Sequence, residues 1–144
     1  MPLMRLYALT TIILALKMSA ISIAQGVART GAKAFVNPED AAMFGGKTVP
    51  QEVEGVQRAS KAWLNDLENI PIFLFLALIY AIAGLSANLF IIYCGVFVIA
   101  RILHTFFYLK AMQPWRTIAY TIGAITTFAL MIHLFVGFVM VGGD

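Results

Sequence analysis

Four apolar runs, each long enough to cross a lipid bilayer, decide what this chain can become. They cover roughly Met4 to Ala28, Ala62 to Leu85, Asn88 to Met112 and Pro114 to Val141. A hydrocarbon core about 30 Å thick takes about 20 residues of helix. Within it the backbone must satisfy its own hydrogen bonds, which only helices and closed barrels do. Runs of this length read as helices, so the expected fold is all-α: an integral membrane four-helix bundle, one domain over residues 1–144. Charge supports lipid as the solvent. Only 12% of residues are Asp, Glu, Lys or Arg, about half the share in soluble domains, which is too little to clothe a water-facing surface.

The connections set the topology. Gly84-Leu85-Ser86 and Gln113-Pro114 are too short for anything but antiparallel neighbours. Residues 29–58 form the one long polar stretch, and Gly31, Pro38, Gly45, Gly46 and Pro50 mark it as a structured loop. Within it, Asn37-Pro38-Glu39-Asp40 predicts a short helix with Asn37 as N-cap and Pro38 at the first helical position. The first run has features of a secretory leader, but Lys17 interrupts it and the apolar character continues to Val27, so it reads as an uncleaved helix. Arg29, Lys33, Lys47, Arg58, Lys61, Lys110 and Arg116 all fall on one side of the membrane, and only Arg5 on the other. The positive-inside rule places the first side in the cytoplasm and both termini opposite, in a bacterial inner membrane or the endoplasmic reticulum. A net charge of +3 without a dense basic run excludes a nucleic-acid surface. No His, Cys or Asp spacing fits a metal. Cys94, the one cysteine, reads as packing.

Polar groups inside the spans carry the functional signal, because each ionised one costs about 2.5–3.5 kcal/mol on the insertion scale. Arg101, His104 and Tyr108 fall at i, i+3 and i+7 on one face of the third helix. Asn65 and Glu68 share a face of the second helix, and Arg116 and Tyr120 share one of the fourth. All lie toward the same membrane side. Their convergence makes a pocket for a small zwitterionic or anionic molecule. Plainer readings compete: Asp66 and Glu68 as structural partners of Arg101 or Lys17, Arg58, Lys61 and Lys110 as snorkelling interfacial cations, and His133 as polar glue in the other membrane half.

Asn65-Asp66-Leu67-Glu68-Asn69-Ile70, followed by Pro71 and Phe73, resembles the signature of the MAPEG family, membrane-associated proteins in eicosanoid and glutathione metabolism. Three blocks in the same order extend the resemblance over almost the whole chain: Lys33 to Asp40, Arg101-Ile102-Leu103-His104-Thr105 with Tyr108, and Pro114-Trp115-Arg116-Thr117 with Tyr120. They are most similar to the family's branch of prostaglandin synthases and glutathione transferases. The resemblance implies a homotrimer with glutathione bound between subunits toward the cytoplasm. It places Arg29, Asn65, Glu68, Arg101, His104, Tyr108, Arg116, Thr117 and Tyr120 at that site. Arg116 would hold the sulfur as thiolate, Thr117 would donate to it, and Asp40 matches an acid thought to assist catalysis. Two departures stand out: Lys61-Ala62-Trp63 replaces the usual Arg-Ala-His, and Leu64 stands where the prostaglandin enzyme has arginine.

The expectation is therefore a glutathione-dependent membrane transferase. Its substrates would be lipophilic electrophiles, lipid hydroperoxides or prostaglandin H, reached from the surrounding lipid. The alternatives are a non-catalytic lipid-binding member of the same family and a small channel suggested by intramembrane Lys17, Asp66 and Glu68.

Overall fold

The computed structural model describes residues 2–140. Four long helices form the bundle: α1 (Pro2–Ala32), α3 (Glu54–Ile82), α4 (Ala87–Leu109) and α5 (Trp115–Phe135), the last continuing through a π turn at Val136–Met140. Between α1 and α3 the chain makes β1 (Ala34–Phe35), α2 (Pro38–Phe44) and β2 (Lys47–Thr48). All four long helices have the length and hydropathy of membrane spans. The protein is an all-α integral membrane protein.

Several helix boundaries differ from the sequence reading. α1 runs to Ala32, not Ala28, because nothing in Arg29-Thr30-Gly31-Ala32 breaks a helix strongly enough to stop one already formed. α3 starts at Glu54, eight residues before Ala62, and ends at Ile82. Its extra turns are polar yet helical. Val56, Ala59 and Ala62 bury one face at helical spacing, and Arg58 Nη2 pairs with Glu54 Oε1 one turn back at 2.6 Å. Apolar run length marks the stretch in lipid, whereas α3 continues into water. α4 ends at Leu109, short of Met112. The expected end of the last helix at Val141 lies outside the described residues.

The loop helix α2 sits where the Asn-Pro signal put it. Asn37 takes the N-cap position in extended conformation, Pro38 opens the helix, and Gly45 closes it in the left-handed region at φ 66°. β1 and β2 pair in parallel, Ala34 with Lys47 and Phe35 with Thr48. This pairing needs Gly46, since a Cβ there would fall 2.6 Å from the Lys33 carbonyl oxygen.

Helix α1 packs along α3 and α4 along α5, with α3 and α4 touching between the two pairs. The core is narrow: Leu14, Ile70, Phe73, Tyr80, Phe90, Phe97 and Leu130 line it, and the Phe73 and Phe97 rings stack with centroids 3.8 Å apart. Most large apolar side chains point outward instead. Phe75 is 69% exposed and Ile82 72%, an arrangement that water would penalise and lipid accepts. At the end of the bundle opposite α2, His133 Nδ1 lies 3.4 Å from the hydroxyls of both Tyr80 and Tyr93. His133 thus joins α3, α4 and α5, the polar-glue role expected of it.

Removing the stacked ring should cost far more than removing an outward one. Phe97→Ala is expected to lower unfolding free energy by about 3 kcal/mol, and Phe75→Ala by about 0.5 kcal/mol or less. Reversible unfolding in mixed detergent micelles measures both, and equal losses would contradict the placement of the core.

Candidate functional site

The site is built around one carboxylate. Asp66 on α3 is wholly buried, as is Arg101 on α4, 1% exposed. Asp66 Oδ1 accepts from Arg101 Nε at 3.1 Å and from Nη2 at 2.6 Å. Its other oxygen, Oδ2, accepts from the ammonium of Lys17 on α1 and from the Thr105 hydroxyl at 3.4 Å. Three helices are therefore tied through one side chain. Charges this deep are tolerated because each lone pair meets a donor.

Arg101 carries the network toward the candidate ligand pocket. Its Nη2 also donates to Asn65 Oδ1 at 2.6 Å and lies 3.4 Å from His104 Nδ1. The His104 ring meets Tyr108 edge-on at 5.7 Å between centroids and Tyr120 at 6.1 Å. Arg116 lies over the Tyr108 ring, 4.7 Å from its centroid. The chain Asn65, Arg101, His104, Tyr108 and Arg116, with Tyr120 beside it, is thus continuous across α3, α4 and α5. The i, i+3, i+7 spacing on α4 produces this, as one helix face carries Arg101, His104 and Tyr108 in successive turns.

Above this chain opens a polar cavity of about 260 Å³ lined by Glu54, Gln57, Arg58, Lys61, Tyr108 and Arg116. Arg58 and Lys61, read from sequence as snorkelling cations, line it. Gln57 and Glu54 were not singled out, and the signal for them was the helical extension of α3 past the apolar run. Gln113 was also missed. With its amide oxygen turned to the guanidinium, it accepts from Arg116 Nε at 3.2 Å and Nη2 at 2.6 Å, and its nitrogen donates to Thr117 Oγ1 at 3.0 Å. Its spacing of three and four residues before Arg116 and Thr117 was visible in the sequence.

The remaining sequence-derived candidates sit apart from this chain of contacts. Arg29 closes α1 and pairs through Nε with Glu52 Oε1 at 2.7 Å. Asp40 accepts from Asn37 Nδ2 at 3.1 Å within its own loop, and the structure shows no contact between it and Arg116 or Thr117. Glu68 is exposed, has no hydrogen-bond partner among the described residues, and so does not neutralise Lys17 or Arg101. Asp66 does both. The pocket's chemistry is cationic and rich in donors, with aromatic faces. Two apolar grooves open to lipid nearby. One, about 400 Å³, runs between α4 and α5 along Ile99, Leu103, Phe107 and Ile122 to Trp115, the residue next to Arg116. The other lies between α1 and α3, along Met18, Ile70 and Leu74.

Comparison with known proteins gives a consistent answer. The family described as "MAPEG family" matches residues 7–136. Prostaglandin E synthase of Equus caballus is 34% identical over 129 residues, 89% of this chain and 84% of that protein. Microsomal glutathione S-transferase 1 of Bos taurus is 40% identical over 130 residues, 87% and 83% of the two chains. Prostaglandin E synthase of Homo sapiens is 32% identical over 134 residues, 92% and 88%.

Asp66→Ala should leave two buried cations without a counter-charge and cost about 3–5 kcal/mol. Thr105→Val, which removes only the 3.4 Å contact, should cost about 1 kcal/mol or less. Unfolding midpoints in detergent order the two, and a mild Asp66→Ala would show that the network does not hold the bundle together.

Proposed function

The chain belongs to the MAPEG family, and from that premise we propose that it activates the thiol of glutathione for attack on lipophilic electrophiles. The carrying observation is Arg116, held over Tyr108 in the wall of a polar cavity, with the Tyr108 ring against His104 and so next to the Arg101 network. A free thiol has a pKa of about 8.5, and a neighbouring cation raises its thiolate fraction at neutral pH. Arg116 is placed to hold that thiolate and Thr117 to donate to it. Gln113, which orients both, acts as a positioning residue.

Glutathione suits the rest of the pocket, being zwitterionic with two carboxylates and one ammonium. Arg29, Arg101, His104, Tyr108 and Tyr120 offer cations and donors to its carboxylates and amides, Asn65 a polar amide, and Glu68 an acceptor for its ammonium. Asp40 stays a candidate assistant only if a second subunit brings α2 over Arg116. Assembly as a homotrimer belongs to the proposal. Glu68 and Tyr120 lie exposed on a single subunit within lipid-spanning helices, where a bare carboxylate costs about 2.5–3.5 kcal/mol. A neighbouring copy covering that face, with glutathione between, removes the cost. The excess of basic residues on the α2 side supports a cytoplasmic site with the termini opposite.

The second reactant arrives through lipid. The α4/α5 groove leads to Trp115, beside Arg116. The glutathione sulfur forms a bond to an electrophilic carbon, and the leaving group departs with the electron pair. With a lipid hydroperoxide the same sulfur takes the terminal oxygen, the O–O bond breaks and the alcohol leaves; a second glutathione then converts the sulfenic acid to the disulfide and water. Prostaglandin H to E isomerisation uses the same O–O opening; the carbon bearing the sulfur-bound oxygen then loses its proton, the S–O bond breaks as the ketone forms, and the thiol is returned. Proximity of two oriented reactants supplies much of the rate. Between substrates, the higher identity to the transferase than to the synthases, and Leu64 in place of arginine, favour general electrophiles.

Ultraviolet thiolate absorbance tests the reading directly. Glutathione added to purified protein should show thiolate at neutral pH, and Arg116→Ala should abolish the signal and lower kcat about a hundredfold. Absence of thiolate with the unaltered chain would overturn the proposal in favour of a lipid-binding, non-catalytic member. Glu68→Ala should raise the glutathione concentration needed for half-maximal rate while leaving kcat within about twofold. An unchanged requirement would remove Glu68 from the site.

A further inference from the structure

We propose that Lys17 is a specificity-determining residue that makes the site prefer an anionic ligand without touching that ligand. The inference rests on the glutathione reading above. It begins with a charge imbalance. Asp66 and Arg101 alone would be a neutral buried pair, bonded through Oδ1 at 3.1 and 2.6 Å. Lys17 adds a second cation on Oδ2, so the cluster carries a net positive charge in the bundle interior. Among the described residues no other carboxylate contacts either cation.

Lys17 also lies on the wrong side to be a contact residue. It lines a groove open to lipid between α1 and α4, beside Ile21, Ile102 and Thr105. The polar cavity beneath Arg116 has no lining residue from α1. Nor is Lys17 the sole partner of Asp66. With Lys17 replaced by an apolar residue, Asp66 keeps Arg101 on one oxygen and Thr105 on the other. A lysine in the middle of an apolar span is costly, and an anion bound within reach of its field offsets that cost. Lys17 occupies one face of Asp66 and leaves Arg101 incompletely neutralised toward Asn65 and His104. At an effective dielectric of about 20, one unit charge acting over a separation on the order of 10 Å changes the affinity for a singly charged anion about tenfold.

Calorimetric titration of the full chain in detergent, with glutathione and with its neutral monoethyl ester, separates this role from a structural one. Lys17→Met should weaken glutathione binding about tenfold and weaken the ester clearly less, with a thermal midpoint equal to or above that of the unaltered chain. Lys17→Arg should restore the preference. Lys17→Gln reads the same comparison if the methionine variant does not fold. Equal weakening of both ligands, or affinity unchanged in the variants while the midpoint falls, would make Lys17 a structural tie and overturn the inference. Failure of the unaltered chain to bind glutathione would overturn the parent reading, and this one with it.

Discussion

The fully buried pair of Asp66 and Arg101 is the constraint on which the rest of the structure depends. Asp66 sits on α3, Arg101 on α4 and Lys17 on α1. In lipid the helices gain little from hiding apolar surface, because the surroundings are as apolar as the interior. Close packing and polar contacts must hold them in register. The Asp66 cluster does this at one depth, and the Tyr80–Tyr93–His133 group does it toward the other end. Between them the stacked Phe73 and Phe97 rings fill the narrow core.

The same cluster decides where a ligand site can form. Arg101 spends its Nε and Nη2 on Asp66 and Asn65, which fixes the guanidinium and leaves His104 beside it. His104 is followed one turn later by Tyr108, and Tyr108 carries Arg116 on its face. The structural contacts thus grade into those of the proposed site along α4. The polar extension of α3 supplies the other wall of the cavity, so the end of the bundle that projects beyond the apolar runs is the end that holds the proposed site.

Much of this was legible in the sequence, and the misses have physical causes. The three-helix convergence of Asn65, Arg101, His104, Tyr108, Arg116 and Tyr120 followed from helical spacing and antiparallel connections alone. That a carboxylate of α3 pairs with Lys17 or Arg101 followed from the cost of unpaired charge in lipid, but the sequence left Asp66 and Glu68 both open and did not show that Asp66 takes both cations. Glu68 did not pair as Asp66 did. Two residues on, it faces away by about 200°, a difference that the charge count hides. The early start of α3 was missed because run length reports the lipid solvent and not the hydrogen-bonded helix. Gln113 read as mere turn because its role depends on where Arg116 folds back.

By itself the sequence determined the number of spans, their antiparallel order, the short loop helix opened by Pro38 and the end of the bundle that carries the polar band, since all of these follow from local periodicity and from what a bilayer refuses to dissolve. Tertiary structure alone decided which carboxylate neutralises which cation, that Arg116 rests on Tyr108 with Gln113 behind it, and that Arg29 and Asp40 bond within their own neighbourhood. The reason is rotational. Periodicity says which residues share a face of one helix, but the angle at which that face meets its neighbours is set by packing among all four.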